Sequence, residues 1–374
     1  MTEEIAAQPL RPYDSSVSEE VELSDRTVVV DATTTPRRRP ASHARPESPT
    51  DLTDLRWLIG AWVIVLVFAA ITAVWSEHVG IPLRDPQGKM FRGRLTSAAM
   101  LFALFAVVDA GVRSLRTTRS LRGTFGVLRA RWPGRRLLIA ANGLLVYHLV
   151  YVCYRNLKSW DAFNQPRDHD LLSVEKWLFL GRSPAQLLHD LLGTGTSAYV
   201  LESVYTSFAH LVPLAVVGAL VFVDRIRDGY VLLVSAMWVW VLGVASYYLI
   251  PTLGPFASAP GDFARLPDTS ITSTQAEYLA ARAHLLAHPA AGDAFASISA
   301  FASLHVGFTF MVVLMLRYYG LTRLSHVATA YLVAVMLATV YFGWHFALDV
   351  VAGLALAAVA VLLGRLVVYP RGRP

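Results

Sequence analysis

The chain has 374 residues, of which 55% are hydrophobic and 16% charged, with a formal net charge of +6. Unbroken apolar runs of about 17–25 residues recur along it, which excludes a soluble globular enzyme and points to an all-α, polytopic membrane protein. The positive charge is almost all arginine, grouped between the apolar runs where it sets topology, and this excludes a nucleic-acid partner.

Residues 1–51 are rich in Thr, Ser, Pro, Glu and Arg, carry Arg37-Arg38-Arg39-Pro40, and read as a disordered cytoplasmic tail. The first apolar run starts near Trp57, is too long for the core of a signal peptide, and is expected to stay as an uncleaved span. About eight transmembrane helices are expected, at 57–75, 96–112, 137–154, 198–223, 230–250, 299–316, 327–344 and 349–369. The first two lie within 52–136 and six more within 137–369, followed by a short cytoplasmic tail at 370–374. The lone cysteine, Cys153, lies inside a span, so no intramolecular disulfide forms. The bias toward Ala, Val and Arg points to a bacterial source and a multi-pass place in the cell membrane.

The stretch from Arg113 to Arg136 holds eight arginines and no acid, so it is expected to face the cytoplasm, together with Arg225, Arg227, Arg317, Arg323 and Arg371. Arg84, Lys89, Arg92 and Arg94 then fall outside and argue mildly against that orientation. The segments 155–197 and 251–298 share the outer face. Within them, Ser183-Pro184-Ala185-Gln186 reads as a helix start that runs to Gly193, lying flat in the interface. Thr274-Gln275-Ala276-Glu277 reads as a second capping box, opening a helix toward His288.

Three residues at span edges on that face carry chemistry. His345 and Asp349 stand i to i+4, a spacing that puts both on one face of a helix. Asp349 can then hold one ring N–H of His345 and leave the other nitrogen as a nucleophile. His305 opens an earlier span inside Ala302-Ser303-Leu304-His305. His284 and His288 are also i, i+4 but lack a third partner for a metal, so no metal and no cofactor is expected. His148, Glu202 and His210 fall inside spans, where ionisable groups border polar cavities or bond between helices; Glu202 and His148 lie toward the outer side. Gly343 and Gly353 are read as permitting close helix approach.

The chain resembles the type 2 phosphatidic acid phosphatase superfamily. That family's pattern is Lys, six residues, Arg-Pro; then Pro-Ser-Gly-His; then Ser-Arg, five residues, His, three residues, Asp. Here Lys158 precedes Gln165-Pro166 by six residues, Ala302-Ser303-Leu304-His305 stands for the second part, and Ala338-Thr339, His345 and Asp349 for the third. Gln165 and Thr339 occupy the two arginine places. The Ser-Leu-His motif and the run Tyr247-Tyr248-Leu249-Ile250-Pro251-Thr252-Leu253-Gly254-Pro255 are similar to the inositol phosphorylceramide synthase branch.

The resemblance implies a phosphatase or phosphotransferase acting on a membrane lipid phosphate, with water or an alcohol or polyol as acceptor. It also implies that the last six helices, at 137–369, form a catalytic membrane domain to which the first two are an addition. His345 would be the nucleophile, His305 the general acid and base, and Asp349 the residue orienting His345. Lys158 is carried over for phosphate binding, within a substrate-binding set that includes Ser303 of the second motif. With both family arginines missing, Arg155 and Arg167 are expected to help. Two alternatives stay open: a polyprenyl phosphate or pyrophosphate phosphatase for carrier-lipid recycling, and a protein that binds or transports lipid phosphate without turning it over.

Overall fold

The computed structural model describes residues 55–116 and 119–372, so the expected tail at 1–51 lies outside the described residues. Every regular element among them is helical. In chain order these are α1 Trp57–Val79, α2 Arg92–Leu115, α3 Leu121–Arg131, α4 Gly134–Trp160, α5 Asp168–Leu178, α6 Pro184–Leu192, α7 Thr196–Phe222 and α8 Ile226–Leu249. A short turn, α9 Pro255–Ser258, precedes α10 Ser270–Ala287, α11 Leu304–Tyr318, α12 Thr322–Tyr341 and α13 Ala347–Val368.

Burial follows the apolar pattern of each helix. α8 is apolar on all sides and sits at the centre, with Tyr230, Leu233, Met237 and Val239 fully buried and α4, α7, α11 and α13 packed around it. α1 buries one stripe only, through Ala61, Val65, Phe68 and Thr72, against α4 and α13. Its other face, with Val63, Leu66, Val67 and Val74, is exposed and apolar, as a helix bordering lipid requires. The two N-terminal helices thus pack directly on the rest of the bundle, α2 lying against α4 and α7.

Among the described residues, seven helices are long and apolar enough to cross a membrane. The expected span at 299–316, sixth in chain order, is cut short: α11 has 15 residues, about 22 Å at ~1.5 Å per residue, against a hydrocarbon thickness of ~30 Å. The apolar residues just before it are extended instead, because their backbone donors find partners elsewhere. Ala300 N donates to the Thr252 carbonyl, Phe301 N to Thr252 Oγ1 and Ala302 N to Ser246 Oγ, at 2.8–3.0 Å. Ser303 then caps α11 by accepting from Val306 N.

The arginine-rich end of the bundle is more ordered than a basic loop. It contains α3, and Arg113 and Arg131 both bridge Asp109 and Asp224, at 2.7–3.2 Å. At the other end, α6 begins at the capping box Ser183–Gln186 and stops at Gly193, as the sequence indicates. α10 starts earlier than expected. Its cap is Thr269 with Thr272, not Thr274, because Glu202 from α7 accepts from Ser270 N and Oγ and pins the first turn there.

Candidate active site

A close crossing of α11 and α13 builds the site. Gly353 lies so near the Ser303 carbonyl that a Cβ would stand 2.4 Å from that oxygen, and Gly307 faces the Gly353 backbone from the other helix. This crossing sets His305, in the first turn of α11, beside the turn that joins α12 to α13. His345 lies in that turn, ahead of the first residue of α13, so it does not share a helix face with Asp349 as the spacing implied. Capping makes the pair instead. Asp349 Oδ2 accepts from Phe346 N at 3.0 Å and stands 3.3 Å from His345 Nδ1. His345 Nε2 is 3.4 Å from His305 Nδ1, and the His305 ring rests on Tyr205 and Phe208.

These contacts order the protons. When Asp349 is ionised it only accepts, so Nδ1 of His345 then carries the hydrogen and Nε2 presents its lone pair. His305 Nδ1–H then points at that lone pair. Burial, and after it the Lys158 charge, push His345 down to about 3, so the imidazole is neutral near pH 7.

The two histidines open into a cavity of about 440 Å³ that Arg94, Arg155 and Lys158 also line. Among the described residues no Asp or Glu lines it. Arg155 donates through Nη2 to Ser297 Oγ at 2.8 Å, Lys158 Nζ sits 5.2 Å from the centre of the Tyr247 ring, and Arg94 stacks 4.6 Å from that of Tyr151. Three cations share this cavity with the two histidines, an arrangement suited to an anion.

Of the residues expected to bind substrate, Lys158 and Arg155 reach this cavity. Arg167 does not: its guanidinium pairs with Asp170 at 3.0 Å on the surface, and its backbone N–H donates to the Pro251 carbonyl. Ser303 is fully buried as the cap of α11 and does not line the cavity. Gln165 is exposed away from the cavity, and Thr339 is buried with Oγ1 on the Met336 carbonyl. Leu304, where the family has glycine, occupies a notch left by Gly243 of α8, so the bulkier residue has room. Gly343 meets Phe263 where a Cβ would stand. His148 lines a neighbouring cavity, and His284 pairs with Asp293. Among the described residues no three His, Cys, Asp or Glu gather as a metal site.

Three residues escape sequence reasoning. Asp168 accepts from Leu253 N and Gly254 N, at 2.7–2.9 Å, and holds the turn from Pro251 to Pro255. Glu175, buried on α5, accepts from Leu348 N at 3.2 Å and so caps the helix that carries Asp349. Arg94 left one trace in the sequence: it belongs to the cations that disagreed with the topology. Its neighbour in that group, Arg84, clamps the outer segment through the carbonyls of Ala294 and Pro289.

Glu175 yields a pH test. Burial raises its carboxyl from 4.5 to about 7 despite the backbone N–H groups that favour the charged form. The folded state therefore binds a proton that the unfolded chain has released. The stabilisation is complete below about 4.5, is lost as pH rises through about 7, and is flat above. Unfolding midpoints in detergent are expected to fall more steeply between those limits for the wild type than for Glu175→Gln; equal slopes would show a charged Glu175.

The fold defines a multi-pass membrane protein, and paired histidines beside three cations are groups that suit phosphoryl chemistry. The family model described as the PAP2 superfamily matches residues 169–363, just over half of the chain. The chain belongs to that superfamily, and with it come enzyme status and a phosphatase-type function on lipid phosphates. No curated protein and no solved structure is significantly similar to it. The match begins beyond Lys158, so the case for that lysine rests on its place in the cavity.

Proposed function

We propose that the protein is a lipid-phosphate phosphatase and phosphotransferase that works through a phosphohistidine at His345. The observation that carries this reading is the Asp349–His345–His305 line opening on a cavity with three cations. His345 Nε2 attacks phosphorus while the bond to the leaving oxygen breaks; His305, protonated to the imidazolium when the phosphate dianion enters, delivers one ring proton to that oxygen and is left neutral. The His305 ring swings aside to admit the phosphoryl group, because the two imidazoles now face each other directly. Arg94, Arg155 and Lys158 hold the non-bridging oxygens as charge builds, and Asp349 offsets the positive charge on phosphorylated His345. An incoming hydroxyl then gives its proton to His305, attacks phosphorus and breaks the P–N bond. With water the product is inorganic phosphate; with an alcohol it is a new phosphoester.

Transfer to a polyol is a second arm of the same reading. The hydroxyls of Ser270, Thr274, Ser297 and Tyr278 line one wall of the cavity and fit such an acceptor. The Ser303-Leu304-His305 motif and the run Tyr247 to Pro255 favour inositol phosphate headgroup transfer over polyprenyl phosphate hydrolysis. The arginine-rich end lies opposite the site, which supports an extracytoplasmic active site. Purified protein is expected to release phosphate from phosphatidic acid or a polyprenyl phosphate, or to form an acceptor-dependent lipid with inositol present. His345→Ala is expected to lose both products. Turnover that survives His345→Ala would overturn the phosphohistidine at His345, and no turnover on any lipid would favour a binding or transport role instead.

A further inference from the structure

We infer that the cleft between α2, α4 and α7 takes the hydrocarbon chain of the substrate lipid, with Arg94 at its mouth holding the anionic headgroup. The inference rests on the lipid-phosphate reading and adds to it a tail site built partly from α2, a helix outside the residues matched to the family.

A second cavity, of about 490 Å³, lies beside the catalytic one, and Arg94, Tyr151 and Val212 line both. The two cavities thus adjoin across these three residues. The polarity of the second cavity is graded along its α2 side. Lys89, just before α2, and Arg94 stand at the top, while Ala98 and Leu101 lie below them and line the cavity with Val212, Val216 and Val217 of α7. From Arg94 to Leu101 the helix descends about 10 Å, a third of the ~30 Å hydrocarbon layer. A charged head with an apolar chain below it matches this gradient, whereas a polyol does not.

Arg94 itself is poised for a ligand. It is exposed, it stacks on Tyr151, and it makes no hydrogen bond or ion pair with the described residues, so its five donors await an acceptor. The opening has the same character. Ser97, Thr206 and Ala209 are exposed along the edges of α2 and α7, so a chain can enter sideways. His148, lower down, already donates from Nδ1 to the Leu144 carbonyl at 2.7 Å, so that nitrogen is satisfied within its own helix.

Groove-filling variants test the site. Leu101→Trp and Val216→Trp are each expected to lower the ratio of kcat/KM for a long-chain phosphatidic acid to that for a water-soluble aryl phosphate by about tenfold or more. Met100→Trp, on the exposed opposite face of α2, is expected to leave the ratio where it was. An unchanged ratio in both groove variants would overturn the tail site while leaving the phosphatase reading intact. A photoactivatable phosphatidic acid carrying a diazirine in its chain removes the dependence on turnover and on folding of the variants. On wild-type protein its label is expected on peptides containing Leu101 or Val216, competed by phosphatidic acid and not by phosphatidylcholine. Label elsewhere, or equal competition by phosphatidylcholine as a bulk lipid would give, overturns the proposal. Labelling of these peptides without any turnover would keep the tail site and sink the phosphatase reading alone.

Discussion

Asp349→Asn is expected to lower kcat by about a hundredfold or more while leaving the fold intact. The reason lies in how the carboxylate is used. Oδ2 makes both the cap to Phe346 N and the contact to His345 Nδ1, while Oδ1 is buried without a partner. An asparagine oxygen placed at Oδ2 keeps both bonds, and with them the helix start and the tautomer of His345. What it lacks is the negative charge that offsets phosphorylated His345. Asp349→Ala loses the cap too, which adds about 0.5–2 kcal/mol of destabilisation. Steady-state kinetics and thermal unfolding of the two variants separate these effects. Wild-type kcat in Asp349→Asn would reduce the carboxylate to a cap.

Gly353→Val is expected to damage both stability and turnover. Even one added carbon stands 2.4 Å from the Ser303 carbonyl and 3.4 Å from Gly307 N, both backbone atoms that cannot turn aside. α11 and α13 must part, at about 1–3 kcal/mol for such overpacking, and His305 moves off His345. A displacement near 1 Å lowers turnover about a hundredfold. Gly111→Ala, where a Cβ meets nothing within 4 Å, serves as the control and is expected to be neutral. A Gly353→Val protein with a normal unfolding midpoint and normal kcat would show that the crossing does not position His305.

The spans were legible because hydropathy over twenty residues survives any tertiary detail. The exception is instructive: 299–303 is as apolar as a span but is held extended by Thr252 and Ser246, partners about fifty residues away. The same limit applies to α10, where the sequence pointed to a cap at Thr274 and Glu202 of α7 pins the first turn at Ser270 instead. Within the site, His305, His345 and Asp349 were legible as a motif, yet the reason His345 meets Asp349 is a cap and not a helix face. Glu175 and Asp168 carried no local signal, since each acts on backbone N–H groups far along the chain. Arg94 was visible only as a charge on the wrong side, and its place over Tyr151 beside the catalytic cavity accounts for that charge.

The most direct test of the central claim is to trap the intermediate. Protein mixed with a lipid phosphate labelled with ³²P and quenched within a turnover is expected to carry label that is stable to alkali, labile to acid and mapped to the peptide containing His345. The label should be missing from His345→Ala and should decay in wild-type protein when water or an alcohol is supplied. Turnover at the normal rate with no label on His345, or with label on another residue, would contradict the account.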